Sequence, residues 1–569
     1  MRCDDLQCST TDDLLRYFIL TDVPPDDGVP KAEPKAVANT LAKTVAKTVP
    51  RPPGLLRSSA LVSSMTMASR TLGLVRDILL ARYIGAGGPA DAFYVAFKIP
   101  NFLRRLFAEG AFAQAFVPVL SEYREKGNVE AVKHFIDRVA GCLGVSLLAI
   151  VAVVVVASPV VTAIFGSGFL FNGEYEKFWL TSDLLRITFP YLFLISMAGF
   201  SGAILNSYDR FAVPAFTPVF LNIALIVAAA GVSHRLDEPV YALAWAIFIA
   251  GVLQLSFQLP FLARIGLLPR PKVDWKDKAV RRVLTLMAPA IFGVSVSQIN
   301  LTLDTVLAVF LRDGSITWLN FSDRLIELPL GVFGVGIATV VLPSLSRQYA
   351  VGSENFSATI DWALRLILLI SVPSTVALFI LSEPILITLF RYGEMLESDL
   401  QMSSLSMKAY AIGLSAFMLI KVLASAYFSR QDMKTPVRIG IIAMISNMVM
   451  NLIFVIPLAY YFGLGHVGLA LATACSGCLN MGMLYRGLRR ANVYHPRSGW
   501  WVYTLQLGLS SVVMLSVLLI VLAFLSPFNA LSAWARILQL ALLVTLGGLS
   551  YLLTLLVMGM RPRHLRFEA

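Results

Sequence analysis

The sequence contains two bilayer-length apolar segments, at 61–85 and 92–122, that hold charged residues within them. These residues are Arg70, Arg76, Asp77 and Arg82 in the first segment and Lys98, Arg104, Arg105 and Glu109 in the second. An ionised side chain near the bilayer centre is costly unless it faces a protein interior or a water-filled cavity. The pattern therefore predicts a membrane transporter with a hydrophilic cargo. Because arginine predominates, we expect that cargo to be anionic.

The composition agrees with a polytopic membrane protein. Of 569 residues, 57% are hydrophobic and 14% are charged, whereas soluble domains carry roughly a quarter charged residues. The net charge of +12 comes from basic residues in short loops rather than on one domain face. Membrane topology accounts for such a distribution better than nucleic-acid binding does. Five scattered cysteines do not form a disulfide framework.

Windows of about 20 apolar residues predict an all-α chain that crosses the membrane many times. The fourteen predicted spans lie at 61–85, 92–122, 139–165, 184–207, 212–233, 239–263, 284–311, 316–346, 360–381, 404–428, 436–460, 465–487, 501–526 and 533–558. Lys and Arg concentrate in alternate loops, and most densely between Arg264 and Arg282. Because cytoplasmic loops carry the excess of basic residues, we expect both termini to be cytoplasmic.

Two correspondences, each six spans apart, predict an internal duplication. The segment from Val117 to Tyr123 (VPVLSEY) resembles 342–349 (LPSLSRQY), and 207–210 before Pro214 (SYDR) resembles 427–430 before Pro436 (YFSR). The predicted domains are a disordered cytoplasmic extension at 1–54, an N-lobe of six helices at 55–263, a basic cytoplasmic loop at 264–283, a C-lobe of six helices at 284–490, and two further helices with a tail at 491–569.

Long motifs in and around the first two spans give the chain a family resemblance. They read SSMTMASR at 63–70, GLVRD at 73–77, FKIPNFLRR at 97–105 and FAEGAFAQAFVP at 107–118, with YFSRQD at 427–432 in the other half. This pattern resembles the MurJ/MviN family of lipid II flippases from about residue 55 onward. The resemblance implies the fold of the multidrug/oligosaccharidyl-lipid/polysaccharide exporters, in which two six-helix lobes flank a central cavity. It also implies transfer of undecaprenyl-diphosphate disaccharide-pentapeptide across the bacterial cytoplasmic membrane by alternating access, for cell wall synthesis.

The same resemblance assigns roles to the interior charges. It implies that substrate is bound by four arginines, Arg70, Arg76, Arg104 and Arg324. Arginine offers planar donors that suit the oxygens of a diphosphate. Supporting or gating roles are expected for Asp77, Asp91, Arg105 and Glu109. From the residues alone, purely structural alternatives stay open: ion pairs that tie helices together, an Arg105–Glu109 pair one turn apart, and Asp91 as the cap of its own helix.

A second group of polar residues lies in otherwise apolar spans. Asp304, Asn447 and Asn451 supply oxygen atoms from separate helices, and the resemblance implies sodium binding in some family members. Hydrogen bonding between helices is the alternative, and Asp304 offers proton coupling as another. We expect no other cofactor and no enzymatic activity. The expected partners are lipid II, membrane lipids and the cell wall synthesis machinery, without nucleic acid.

The residues alone leave three other functions open. A flippase for another polyprenyl-diphosphate sugar would need the same cationic cavity. A drug or cation antiporter of the same superfamily predicts carboxylates and aromatic residues, whereas the first two spans carry more arginine than acid. A membrane-embedded transferase would need a catalytic carboxylate or metal cluster, and none stands out. The anionic cargo thus follows from charge, and lipid II follows from the resemblance.

Overall fold

A computed structural model gives the fold of residues 54–105, 112–351 and 355–561. Side chains are described from Ser64 onward, except at 288–290, 292–297, 300 and 301. The expected disorder of the N-terminal extension and the predicted site residue Glu109 both lie outside the described part. The chain divides into two compact units, Met1–Ala60 and Leu61–Ala569. Only Gly54–Ala60 of the first unit is described, as helix, so everything below concerns the second unit.

The described residues form helices and no strand, as the sequence predicts. The helices are α1 Gly54–Tyr83, α2 Gly88–Arg104, α3 Phe112–Glu125, α4 Val129–Val156, α5 Ser158–Phe165, α6 Ser167–Phe171, α7 Tyr175–Thr188, α8 Tyr191–Ser207, α9 Ala212–Phe216, α10 Pro218–Val227, α11 Val240–Arg264, α12 Lys278–Ala308, α13 Ser315–Pro329, α14 Val335–Ala350, α15 Asn355–Ile380, α16 Ser382–Phe390, α17 Glu397–Phe428, α18 Lys434–Phe462, α19 Gly465–Arg490, α20 Trp500–Phe524 and α21 Ala533–Val557. Leu330–Gly334 forms a π-helical turn between α13 and α14.

Eleven helical segments in the described part are long and apolar enough to cross a membrane. They coincide with eleven of the predicted spans. The other three predicted spans correspond to α1, to α2 with α3, and to α12. The all-α membrane fold is therefore confirmed, while the count of fourteen spans stays a prediction.

The helices of the described part pack around four clusters of buried apolar side chains, three of them mainly within one half of the chain and one, with Val95 and Ile316, shared by both halves. We call α1–α11 the N-lobe and α12–α19 the C-lobe. Two clusters of buried apolar side chains lie mainly in the N-lobe, and the largest lies mainly in the C-lobe and continues into α20 and α21. The first turns of α12 depart from this division, because Val280, Val283 and Met287 pack with Phe112 and Phe135 of the N-lobe. Helix α12 also begins at Lys278, inside the segment predicted as a loop.

Two helix ends support the internal duplication and refine its register. Asp209 and Gln431 both adopt a left-handed φ of 61°. In each turn the next backbone N–H bonds to the carbonyl five residues earlier, at 2.9 and 3.1 Å, which is the hydrogen bond of a Schellman helix end. A proline follows five residues after each, at Pro214 and Pro436. The backbone therefore pairs Asp209 with Gln431, two residues away from the sequence match with Ser429.

Candidate functional site

A buried carboxylate joins arginines of both lobes where α1 meets α13. Asp77 is 2% exposed. Arg76 donates from Nε and Nη2 to Asp77 Oδ1, at 2.9 and 2.6 Å. Arg324 of the C-lobe donates from Nε to Asp77 Oδ2 at 2.9 Å. Each oxygen of the Asp77 carboxylate thus accepts hydrogen bonds from one arginine. Two arginines and one aspartate together keep a net positive charge.

The two arginines differ in how far they are enclosed. Arg76 also donates from Nη1 to Asn222 Oδ1 at 3.0 Å, and Asn222 in turn donates to the Ser69 carbonyl at 3.0 Å. Arg324 has a side chain that is 34% exposed and lies 3.5 Å from an exposed carboxylate oxygen of Glu327. Arg76 is therefore held in place by the N-lobe, whereas the Arg324 guanidinium reaches open space between the lobes.

Two glycines allow the lobes to approach closely at this point. A Cβ atom added to Gly73 in α1 would lie 2.7 Å from Arg324 Nη2. A Cβ atom added to Gly331, in the π-helical turn after α13, would overlap the Arg70 guanidinium. Each lobe thus places an arginine against a glycine of the other lobe. Arg70 and Arg76 of the first predicted span thus come together with Arg324 of a distant span at one interface.

The remaining predicted arginine lies at the end of α2. Arg104 Nε donates to Asn101 Oδ1 at 2.8 Å, within its own helix. Arg105 follows at once and is partly buried, and the description of the chain stops there until residue 112. The predicted pairing of Arg105 with Glu109 is consequently untested.

Lys98 and Asp323 lie near these arginines but were not among the predicted site residues. Both side chains are accessible to solvent. Lys98 of α2 lies within electrostatic range of Asp323 and Asp304 of the C-lobe, and Asp323 within range of Arg324 and Arg105. The sequence could have indicated both residues, since Lys98 is an interior charge of the second span and Asp323 precedes Arg324. A lysine and two carboxylates therefore lie near the arginines.

Asp91 connects the lobes at the end of the molecule where α1 leads into α2. It is 3% exposed and accepts three hydrogen bonds from the start of α13. The Gly314 N–H donates at 2.8 Å, the Thr317 N–H at 2.9 Å and the Thr317 hydroxyl at 2.7 Å. Asp91 does not cap its own helix, because it lies inside the first turn of α2, after the cap residue Gly87. It caps the C-lobe helix instead, where free N–H groups and the helix dipole favour an anion.

Further contacts close the lobes against each other at this end. Lys177 of α7 forms ion pairs with Glu174 of the same lobe and with Asp313, just before α13. The Glu394 N–H donates to the Arg82 carbonyl at 3.0 Å. We call this set of contacts around Asp91 the end contact; it joins the two lobes at this end of the molecule.

The predicted sodium ligands do lie together, on α12 and α18. Asn447 and Asn451 donate from Nδ2 to Asp304 Oδ1, at 3.0 and 2.8 Å. Thr473 of α19 donates from its hydroxyl to Asp304 Oδ2 at 3.3 Å. In the described orientation these contacts form a hydrogen-bond network between helices. Thr473 is the member that the sequence did not single out.

A helical membrane protein in which arginines of both lobes meet at one buried carboxylate, with further contacts between the lobes at one end, has the features of a transporter for an anionic substrate. The chain belongs to the lipid II flippase MurJ family, because the family model described as "Lipid II flippase MurJ" matches residues 80–545. This match covers most of both lobes and includes Arg104 and Arg324, whereas Arg70, Arg76 and Asp77 lie just before it.

Individual relatives agree with the family assignment. The chain is 49% identical over 519 residues to a "Probable lipid II flippase MurJ" of Vibrio cholerae serotype O1, covering 90% of this chain and 98% of the relative. A solved structure described as lipid II flippase MurJ in an inward closed conformation superimposes with a TM-score of 0.73 at 29% identity, covering 87% and 98% of the two chains. An inward-facing multidrug transporter of the MATE family reaches 0.61 at 14% identity, covering 76% and 98%, and shares the fold alone.

Proposed function

We propose that this protein moves lipid II from the inner to the outer leaflet of the bacterial cytoplasmic membrane by alternating access. One observation carries the proposal: arginines from both lobes meet at the buried Asp77, at the interface of α1 and α13. Relatives named as lipid II flippases support the identity of the substrate. No bond is made or broken in such a transfer, so the protein acts as a transporter.

The arrangement of charges gives the binding step a physical basis. A diphosphate is a compact dianion, and Arg70 and Arg324 present donors from opposite lobes. Asp77 occupies part of that donor capacity when substrate is absent. An arriving diphosphate competes with Asp77 for Arg324, and so weakens one contact that holds the lobes together. A transition is driven only if substrate binds the two conformations unequally, and this competition supplies such a difference.

We place the basic loops, and with them both termini, in the cytoplasm. The end contact at Asp91 then faces the periplasm, so that alternating access would open the interface around Asp77 to the cytoplasm in this conformation. Lipid-facing side chains of α20 and α21, such as Leu505, Leu509 and Leu552, are exposed and apolar. They suit membrane lipids and the polyprenyl tail. Enzymes that polymerise lipid-linked glycans consume the product, and we retain them as expected partners.

Depletion of the protein tests the substrate directly. In cells without another lipid II flippase, we expect lipid II to accumulate in the inner leaflet and to disappear from the outer leaflet. Re-expression of the wild-type chain should restore outer-leaflet lipid II. Normal exposure of lipid II after verified depletion would refute the proposal.

A matched pair of glycine variants tests the site in the same cells. Gly331→Ala places a methyl group where the Arg70 guanidinium lies, whereas Gly336 has no neighbour within 4 Å of an added Cβ. We expect Gly331→Ala to restore less than about a tenth of the flipping, since a small misplacement of a binding group costs large factors in rate. Gly336→Ala should restore it fully, with equal amounts of both variants in the membrane. Equal activity of the two would remove Arg70 from the binding site.

We further propose that Asp304 and its neighbours couple transport to sodium, with a proton on Asp304 as the second candidate. The group offers carboxylate, amide and hydroxyl oxygens, the ligands that hard cations prefer. Asn451 Oδ1 is buried and has no hydrogen-bond partner among the described residues. The amide carries an acceptor oxygen beside its donor nitrogen, so rotating it by half a turn would turn the oxygen toward Asp304. The residues therefore fit a sodium ion.

Thermal unfolding in different salts tests this coupling without a transport assay. We expect the wild-type protein to unfold at a higher temperature in sodium chloride than in potassium chloride. Sodium at a hundred times its Kd would add about 2.7 kcal/mol to the free energy of unfolding. Asp304→Ala should erase the difference between the salts, while Asp183→Ala, an exposed carboxylate elsewhere, should keep it. Equal unfolding temperatures of the wild type in both salts would exclude sodium and leave the proton.

A further inference from the structure

Two buried aspartates occupy equivalent places in the two lobes. Asp137 lies on α4 and is 6% exposed, and Asp361 lies on α15 and is 2% exposed. Each follows a fully buried isoleucine, Ile136 or Ile360. Helices α4 and α15 are the third predicted span of their lobes, so the duplication relates them. Neither carboxylate belongs to the group of charges around Asp77, and each needs hydrogen-bond donors to offset its burial.

Both carboxylates bind the chain just after the last helix of their own lobe. The Arg270 N–H donates to Asp137 Oδ1 at 2.7 Å, and the Arg497 N–H donates to Asp361 Oδ1 at 3.2 Å. A proline precedes each arginine, so the dipeptide Pro-Arg recurs at 269–270 and 496–497. The same short motif thus meets the same buried acid in both halves.

The helix ends that lead into these segments also match. Gly266 ends α11 and Asn492 ends α19, with left-handed φ values of 73° and 53°. The next residue in each case, Leu267 or Val493, donates its N–H to the carbonyl five residues earlier at 3.0 Å. The second segment is one residue longer before it reaches its aspartate. Four features therefore recur together: helix end, Pro-Arg, backbone donor and buried acceptor.

We infer that the duplicated fold carries one clasp per lobe, formed by Asp137 and by Asp361, which fixes the segment leaving that lobe to the lobe itself. The first clasp makes the linker between the lobes a rigid part of the N-lobe. The second makes the start of α20, and with it the pair α20–α21, a rigid part of the C-lobe. The clasps exist in the resting protein; their role in transport rests on the proposed movement of the lobes.

Additional contacts hold the interlobe linker along its length. The Lys272 N–H donates to the Asp137 carbonyl at 3.0 Å. Gly141, one turn after Asp137, touches the Lys272 backbone and leaves no room for a Cβ atom. Arg138 pairs with Asp277, the residue that caps α12, and lies 3.5 Å from Asp274. Burial raises the pKa of the Asp277 carboxyl, but hydrogen bonds from the Val280 N–H and from Arg138 outweigh it, and the pKa lies below its usual value.

The linker is therefore held along its length and cannot extend when the lobes move relative to each other. From the end of α11 to Asp277 it is attached to α4, so relative movement of the lobes has to be accommodated after Lys278, within α12. That helix starts in the N-lobe core and bonds to the C-lobe at Asp304. The first clasp thereby determines which part of the chain moves.

The second clasp has more donors. Asp361 Oδ1 also accepts from the Tyr494 hydroxyl and from Trp500 Nε1, both at 2.7 Å. Arg365 Nε lies 2.8 Å from Asp361 Oδ2, and its guanidinium lies over the Trp500 ring at 5.0 Å. The first residue of α20 is thus fixed to α15. A groove for the lipid tail on α20 and α21 would travel with the C-lobe.

Hydrogen exchange of the protein without substrate, in lipid nanodiscs, tests both clasps. We expect slow exchange at 266–272 and at 493–500 in the wild type. A hydrogen bond to a charged group contributes about 1.5–3 kcal/mol, so Asp137→Ala should speed exchange at 266–272 by roughly 10- to 100-fold and leave 493–500 unchanged. Asp361→Ala should do the reverse, and each variant is the control for the other. Glu130→Ala, at an exposed carboxylate of the same helix as Asp137, should change neither segment.

Two further variants keep the test decisive. Gly141→Ala displaces the linker without touching the carboxylate, so it should reproduce the effect of Asp137→Ala. Asp137→Asn retains an acceptor and should restore most of the protection. A positioning role also requires that Asp137→Ala binds lipid II as the wild type does but flips it more slowly. Unchanged exchange at 266–272 in both Asp137→Ala and Gly141→Ala, or equal loosening of both segments by either aspartate variant, would overturn the inference.

Discussion

Replacing Asp77 by alanine is expected to abolish lipid II flipping. The carboxylate is buried between Arg76 and Arg324, and removing one partner of a buried ion pair costs about 3–5 kcal/mol because the remaining charge is left uncompensated. Here two guanidinium groups would face each other, and the contact between the lobes would be lost. Outer-leaflet lipid II in depleted cells measures the effect, with the amount of protein in the membrane verified.

Glu327 provides the control for this experiment. It also lies near Arg324, at 3.5 Å, but its side chain is 50% exposed. Because exposed ion pairs contribute about 0–1 kcal/mol, Glu327→Gln should flip lipid II within a few-fold of the wild type. If Asp77→Ala and Glu327→Gln had the same activity, the buried bridge between the lobes would have no part in transport.

The second large effect is expected from Asp91→Ala, which should open the end contact. Asp91 accepts two backbone hydrogen bonds and one hydroxyl hydrogen bond from the start of α13. Hydrogen bonds to charged groups contribute about 1.5–3 kcal/mol each. Losing two of them should shift the balance of conformations toward the opened state by about 100-fold or more, since every 1.4 kcal/mol is tenfold.

Distances between spin labels at Tyr175 and Leu396 measure this shift. Both residues are exposed, at 61% and 63%, and lie on different lobes near the end contact. The alanine variant should add a population at longer distance. Asp183→Ala is the control, because Asp183 pairs only within α7, with Arg186, and should leave the distances unchanged. An unaltered distance distribution in Asp91→Ala would show that its hydrogen bonds do not hold the lobes together.

Much of the fold could be predicted from the sequence because a bilayer imposes simple rules. In lipid, an apolar chain satisfies the hydrogen-bonding groups of its backbone by forming helices. The length and hydropathy of the apolar segments therefore locate those helices in the sequence. The spans without such a clear signal are those with interior charges or polar groups, α1, α2 with α3, and α12. The internal duplication was visible in two short motifs. The register of the duplication could not be predicted. It follows from the left-handed backbone of Asp209 and Gln431 and not from the similar residues beside them.

The site was predictable as a set of residues but not as a set of contacts. Arg70, Arg76, Asp77 and Arg324 stood out as charges at membrane depth. That Asp77 bridges Arg76 and Arg324 depends on how the lobes pack, and no spacing along one helix encodes it. The same holds for Asp91. Its position in α2 suggested that it caps its own helix, whereas the N–H groups that donate to it lie at the start of α13. The buried Asp137 and Asp361 were unremarked because each stands beside loop residues, where a charge needs no explanation.

The glycine surfaces beneath Arg70 and Arg324 have a consequence for speed. Arg70 and Arg324 each lie against glycine backbone of the other lobe, so once Arg324 has left Asp77 the lobes can separate at these two points without drawing a side chain past a Cβ atom. Well-packed interdigitated surfaces resist such separation, because interiors fill space like crystals and offer few intermediate arrangements. The two contacts between an arginine and a glycine backbone instead offer little resistance when the lobes move apart. A transporter that must part its halves in every cycle gains a low barrier from the absence of two methyl groups.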